Sequence, residues 1–122
     1  MRGLGIDIIE VDRIRTVAAR YGSRFLKRIY TQQELDYCMI QIGKFHYSSL
    51  AVRFAAKEAF YKAAFPQLQQ PISWQDCEVV NDENRFPRLR LSAHLNQHLK
   101  QPQILLSLSH CEKYATAVVL IE

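Results

Sequence analysis

Three observations predict an α+β domain, with helices in the first half of the chain and an antiparallel sheet drawn mainly from the second half. Residues 11–65 carry helical spacing of apolar residues, capping signals, and stops at glycine or proline. Residues 77–121 carry short runs rich in Val, Ile and Leu, parted by polar turns. Finally, 122 residues at 48% hydrophobic and 23% charged suffice for one core, so residues 1–122 are expected to form a single domain. A helix-rich half followed by a strand-rich half is the α+β order.

Taken in order, Leu4 to Ile9 reads as a buried strand interrupted by Asp7. Val11, Ile14, Val17 and Ala18 recur at helical spacing, and Gly22 is a natural stop for a helix over 11–21. Thr31-Gln32-Gln33-Glu34 is a capping-box pattern that starts a helix reaching about Ile40. Gly43 to Tyr47 reads as a loop. Ser48 or Ser49 then caps a long helix ending at Phe65-Pro66, since the residue before proline is pushed out of helical geometry. The polar stretch Gln67 to Ser73 is a loop. Cys77–Val80 and Pro87–Leu91 form two strands around a turn at Asn81–Asn84. Ser92 caps a short helix through Leu99, and Pro102 closes it. Ile104–Ser109 and Ala115–Ile121 are strands turning at Glu112-Lys113.

Charge and cysteine usage narrow the class. The net charge is +4, but Arg13, Arg15, Arg20, Arg24, Lys27 and Arg28 fall between positions 13 and 28 with no acid among them. That stripe is either a solvated helix face or a landing site for an anionic partner. Cys38, Cys77 and Cys111 are odd in number and lack metal-ligand spacing, as expected of free thiols in a reducing compartment. Asp7 and Glu10 break the apolar run that a signal peptide needs, and no long apolar stretch follows. The expected location is the cytoplasm, with no membrane association.

Several ionisable residues sit inside apolar elements, where desolvation is costly. Asp7 in its strand needs a cation, a metal, or hydrogen bonds from the start of the following helix. Glu58 shares a helix face with Phe54, Tyr61 and Phe65; Lys62, four residues on, is either its ordinary ion-pair partner or a cation for phosphate. Arg53 and Lys57 form an adjacent basic ridge. Asp7, Glu58 and a pyrophosphate would satisfy magnesium, which binds few protein carboxylates and completes its shell with water. His110, at a strand end, is either a histidine bonded to backbone in the core or a base or phosphate donor.

Three segments carry a family resemblance. They are Gly5-Ile6-Asp7-Ile8 with Arg13-Ile14, Arg53-Phe54-Ala55-Ala56-Lys57-Glu58-Ala59-Phe60 with Lys62, and Ser107 to Ala115 with His110 and Tyr114-Ala115. In this order and spacing the chain resembles the holo-acyl-carrier-protein synthase family, the small single-domain 4′-phosphopantetheinyl transferases. Arg24-Phe25, Arg28-Ile29 and Thr31 with Glu34-Leu35 fit the same pattern. The resemblance implies the fold of that family, and transfer of the phosphopantetheine arm of coenzyme A to a serine of an acyl carrier protein, releasing adenosine 3′,5′-bisphosphate. It implies Mg²⁺ on Asp7 and Glu58, phosphates neutralised by Arg53, Lys57 and Lys62, and His110 beside coenzyme A. It also implies a homotrimer with active sites between subunits. Arg13, Arg20, Arg24 and Arg28 would guide the acidic carrier protein.

Two departures qualify these expectations. Phe65-Pro66-Gln67-Leu68-Gln69-Gln70-Pro71 contains no glycine where the family carries a glycine-rich turn, so the edge of the coenzyme A pocket is expected to differ in shape. Asn84-Arg85-Phe86-Pro87 likewise replaces a glycine-bearing turn. The first departure motivates a competing reading, a non-catalytic relative that binds carrier protein or coenzyme A without transfer. A nucleic-acid-binding domain using the arginine stripe is a third reading, and it leaves Asp7, Glu58 and His110 without a role.

Overall fold

A computed structural model describes residues 2–122, and one long helix organises everything in it. The elements run β1 (Gly3–Glu10), α1 (Val11–Tyr21), α2 (Ser23–Ile29), α3 (Gln32–Cys38), β2 (Met39–Gln41), β3 (Lys44–Phe45), α4 (Tyr47–Ala64), β4 (Cys77–Asn81), β5 (Pro87–Leu91), α5 (Ala93–His98), β6 (Ile104–His110) and β7 (Tyr114–Ile121). Single 3₁₀ turns occupy Phe65–Gln67 and Trp74–Asp76. The α+β class and the strand-rich second half are as expected. The N-terminal strand joins the C-terminal hairpin to give the antiparallel order β1-β7-β6, while β2-β3 and β4-β5 are separate hairpins.

Two apolar clusters meet on α4. Ala55, Ala59, Phe60 and Ala63 pack with Cys77, Val79, Leu95, Leu99, Val119 and Ile121. Toward the other end, Leu50, Ala51 and Val52 pack with Val11, Ile14, Leu26, Ile29, Leu35 and Cys38. A helix buried this fully shows little one-sided pattern, which is why its alanines read only as helix formers. They have a second use. A Cβ at Gly3 would collide with the Ala63 carbonyl, and one at Gly5 with the Ala59 carbonyl. Strand β1 therefore lies directly on α4, backbone against backbone.

Local chemistry explains most boundaries. Thr31 and Glu34 form the reciprocal capping box expected of them. Gly22 ends α1 at φ 60°, donating its N–H to the Ala18 carbonyl, and the chain re-enters a helix at once. That second helix, α2, had no counterpart in the sequence expectations. Helix α3 stops at Cys38 rather than Ile40, because the Cys38 carbonyl accepts from His46 N–H and closes the β2-β3 hairpin within the expected loop. Helix α4 starts at Tyr47 with His46 at its N-cap, so Ser48 and Ser49 lie in its first turn and do not cap it. Ser92 holds the N-cap position of α5 without a side-chain capping bond.

Strand β1 is not buried as expected. Its inward positions, Gly3, Gly5, Asp7 and Ile9, face α4, while Leu4, Ile6 and Ile8 are 57%, 62% and 66% exposed on the opposite face. The register places Val118 beside Ile6, and Leu120 between Leu4 and Leu105, so an apolar face spans the sheet with nothing packed on it among the described residues. No helix is long and apolar enough to cross a membrane among the described residues.

Candidate active site

The close approach of β1 to α4 creates the site. Two residues beyond Gly5, Asp7 arrives beside the middle of the helix, and Lys62 reaches back to it. Lys62 Nζ lies 3.1 Å from Asp7 Oδ1 and 3.0 Å from the Ile6 carbonyl. The expected i,i+4 pair of Glu58 with Lys62 thus gives way to a long-range pair. The first turn of α1 is not Asp7's partner either, since the Val11 N–H donates to the Lys113 carbonyl at 2.8 Å.

Asp7 and Glu58 line one cavity of about 370 Å³, together with Ile9, Arg13, Val17, Phe25 and Phe54. Burial raises the Glu58 pKa above the usual carboxylate range, the negative charge of Asp7 raises it further, and Lys62 pulls it back. A carboxylate whose pKa is raised by burial and by a neighbouring carboxylate makes a site that a cation would relieve. The donor set of the two residues, hard carboxylate oxygens with open positions remaining, fits Mg²⁺.

Glu58 also lines a second cavity of about 250 Å³, formed with Lys57, Phe60, Tyr61, Ile72, Ser73, Trp74 and Cys77. The Trp74 and Phe54 rings stack between the two cavities, with centroids 5.1 Å apart and planes at 25°. The glycine-free stretch 65–71 stops short of this cavity: Ile72 and Ser73, just beyond it, are the residues that line it. Sequence reasoning missed Trp74 and Phe25 as cavity residues, though aromatic residues flanking a charged helix were the available signal.

The other expected site residues scatter. Lys57 and Arg53 are not an exposed basic ridge: both are buried. Lys57 Nζ contacts Glu34 Oε1 at 2.8 Å, the Trp74 carbonyl at 3.0 Å and the Cys77 carbonyl at 2.5 Å, so its three protons are used within the protein. Arg53 donates to the Ser49 carbonyl at 3.2 Å and lies over the Tyr37 ring at 4.3 Å. Lys57 therefore offers no free cation to phosphate, whereas Arg53 Nε is buried without a hydrogen-bond partner among the described residues.

His110 is exposed and lines a different cavity, with Arg15, His46, Tyr47, Ser48 and Glu112 at the start of α4. Across the sheet register it stands two strands over and two residues along from Asp7, on the order of 12 Å. It is therefore not a core histidine, and within one chain it does not join the carboxylates. Arg13, Arg20, Arg24 and Arg28 are all exposed along α1 and α2, and none is in an ion pair among the described residues. Arg13 also borders the carboxylate cavity, so the stripe leads to the site.

Comparisons with known proteins bear on the family and the fold. A model of the 4′-phosphopantetheinyl transferase superfamily matches residues 3–119. The holo-(acyl-carrier-protein) synthase of Chloroherpeton thalassium is 47% identical over 119 residues, covering 98% of this chain and 96% of the relative. That of Protochlamydia amoebophila is 46% identical over 115 residues, covering 94% and 93%. Among solved structures, the Neisseria meningitidis synthase superposes with a TM-score of 0.87 at 31% identity, covering 100% of this chain and 98% of that one. The Helicobacter pylori synthase, solved in complex with coenzyme A, superposes with a TM-score of 0.85 at 29% identity, covering 98% and 99%.

Proposed function

The chain belongs to the 4′-phosphopantetheinyl transferase superfamily, and on that premise we propose that it moves the phosphopantetheine arm of coenzyme A onto a serine of an acidic acyl carrier protein, releasing adenosine 3′,5′-bisphosphate. The observation that carries this reading is the Asp7–Glu58–Lys62 group, two carboxylates and a cation at the junction of two cavities. Transfer of this kind asks mainly for positioning and charge neutralisation, which such a group supplies without a covalent protein nucleophile.

Asp7 and Glu58 would hold Mg²⁺, which supplies Lewis-acid stabilisation and a template for the phosphates when bound. Lys62, half exposed beside them, neutralises phosphate charge. The cavity of Tyr61, Ile72, Ser73 and Trp74 takes the donor, and the cavity of Arg13, Phe25 and Phe54 admits the carrier serine. The serine hydroxyl gives up its proton to water as its oxygen bonds to the phosphorus bearing the pantetheine arm. The bond from that phosphorus to the bridging oxygen breaks, and the bisphosphate leaves with the electron pair. Arg13, Arg20, Arg24 and Arg28 steer the acidic carrier, acting more on association rate than on intrinsic affinity.

The bare sheet face of Leu4, Ile6, Ile8, Leu105 and Val118 supports a homotrimer, since an uncovered apolar face of this kind marks an association surface. In such an assembly His110 serves coenzyme A bound at a neighbouring subunit's carboxylates, which accounts for its distance from Asp7 within one chain. The enzyme acts in the cytoplasm as a single domain over residues 1–122.

Intact-mass spectrometry of an apo acyl carrier protein incubated with the protein, coenzyme A and Mg²⁺ tests the reading. A gain of one phosphopantetheine arm, abolished by chelator, is expected. No gain across several carrier proteins, with coenzyme A still bound, would favour the binding-only relative.

A further inference from the structure

Lys57 precedes Glu58 on α4, yet its ammonium is turned entirely to the protein. Three acceptors meet its three protons: Glu34 Oε1, the Trp74 carbonyl and the Cys77 carbonyl. The last two stand at either end of the 3₁₀ turn Trp74–Asp76, so one ammonium grips that turn from both sides. Glu34 is as fully used. Its Oε1 also accepts from Thr31 N–H at 2.9 Å, and its Oε2 accepts from Val79 N–H at 2.8 Å on β4. The two side chains are 2% and 0% exposed. From the middle of the turn, the Gln75 side-chain amide donates to the Lys27 and Tyr30 carbonyls, tying the same segment to the end of α2.

What the pair holds is the wall of the donor cavity. Ser73, Trp74 and Cys77 line it, and the Trp74 ring stacks on Phe54 at the partition beside Glu58. We propose that Lys57 and Glu34 are a positioning pair that fixes the Trp74–Cys77 segment as the surface against which the arm of coenzyme A rests, rather than a phosphate contact and its neighbour. The inference rests on the transfer activity proposed above. Its physical content is that a buried ion pair is most damaging when half removed: deleting one partner strands a charge, whereas deleting both strands none.

The test compares Lys57→Met, Glu34→Gln and the double variant, reading Tm and the KM of each substrate. Either single variant should lower Tm and raise KM for coenzyme A about 10- to 100-fold, the scale of a misplaced reactant, leaving KM for carrier protein unchanged. The double variant should recover part of Tm, because no charge is stranded, while KM for coenzyme A stays raised, because the Trp74 and Cys77 carbonyls have lost their shared donor. A folded Glu34→Gln variant that keeps the wild-type KM for coenzyme A while Lys57→Met raises it overturns the proposal in favour of direct phosphate contact. Should Glu34→Gln not fold, Lys57→Arg decides. A phosphate contact tolerates arginine, whereas a planar guanidinium does not match three convergent acceptors, so an unchanged KM for coenzyme A there overturns the proposal. Trp74 is the only tryptophan, so its emission reports donor binding independently of turnover. A wild-type protein whose emission ignores coenzyme A and which transfers nothing overturns the proposed function as well, while the Tm coupling of the pair still stands.

Discussion

Helix α4 carries two lysine–carboxylate pairs, five residues apart, and they do opposite things. Lys57 meets Glu34 at 2.8 Å with both side chains essentially sealed, at 2% and 0% exposure. Lys62 meets Asp7 at 3.1 Å with its side chain 52% exposed and the carboxylate 16% exposed. The first pair satisfies every proton and oxygen it brings into the interior and holds elements together. The second leaves Lys62 accessible and sets a second carboxylate, Glu58, near enough to Asp7 to raise its pKa. Chemistry is left to the pair whose electrostatics are unfinished, and architecture to the pair whose electrostatics are closed.

The largest expected effect breaks the open side. Glu58→Gln or Asp7→Asn should lower transfer about 10²- to 10³-fold, the scale of several kcal/mol of lost charge stabilisation, in a fold that circular dichroism finds unchanged. The same Glu58→Gln substitution sharpens the contrast without substrate. Because the folded state raises the Glu58 pKa, the stability tied to that proton is full below the ordinary carboxylate pKa and is lost as pH rises through the raised value. Without divalent cations, Tm of the wild type should therefore fall relative to Glu58→Gln over that interval, and Mg²⁺ should restore the wild type only.

Next comes the closed side. Glu34→Leu, which leaves the Lys57 charge unpaired in the interior, should destabilise by about 3–5 kcal/mol in denaturant titration. Lys62→Met is its mirror: stability should move by less than about 1 kcal/mol, as for an exposed pair, while transfer falls at least about tenfold. Equal stability losses at the two lysines would erase the comparison. The smallest effect is at the rim, where Arg24→Glu should raise KM for carrier protein and leave KM for coenzyme A unchanged, with the difference shrinking as salt rises.

Much of this architecture is written locally and was legible. The Thr31–Glu34 capping box, the proline after α4 and the polar turns between strands act within a few residues, so the sequence announces them. Helix α2 was hidden because Gly22 ends one helix and begins another, and a lone glycine does not say which. The Asp7–Lys62 pair joins residues 55 apart and depends on glycines letting β1 lie on the backbone of α4. The i,i+4 alternative was visible only because it is local. Glu34 was recognised as a cap, but nothing in its neighbours reveals that the same carboxylate is buried against Lys57. The apolar run of β1 read as buried because sequence records that a strand carries large apolar residues, not whether its own chain covers the face that bears them. The motif residues Asp7 and Glu58 were found because a carboxylate in an apolar element demands a partner, whereas the cations beside them carried no sign of which were already taken.

The most direct measurement is intact-mass spectrometry of apo carrier protein treated in parallel with Asp7→Asn and with the folded Glu34→Gln/Lys57→Met double variant, at saturating coenzyme A and Mg²⁺. The prediction is an arm transferred by the double variant and little or none by Asp7→Asn. Transfer at the wild-type rate by Asp7→Asn, or its loss in the folded double variant, would contradict the assignment of chemistry to the open pair and architecture to the closed one.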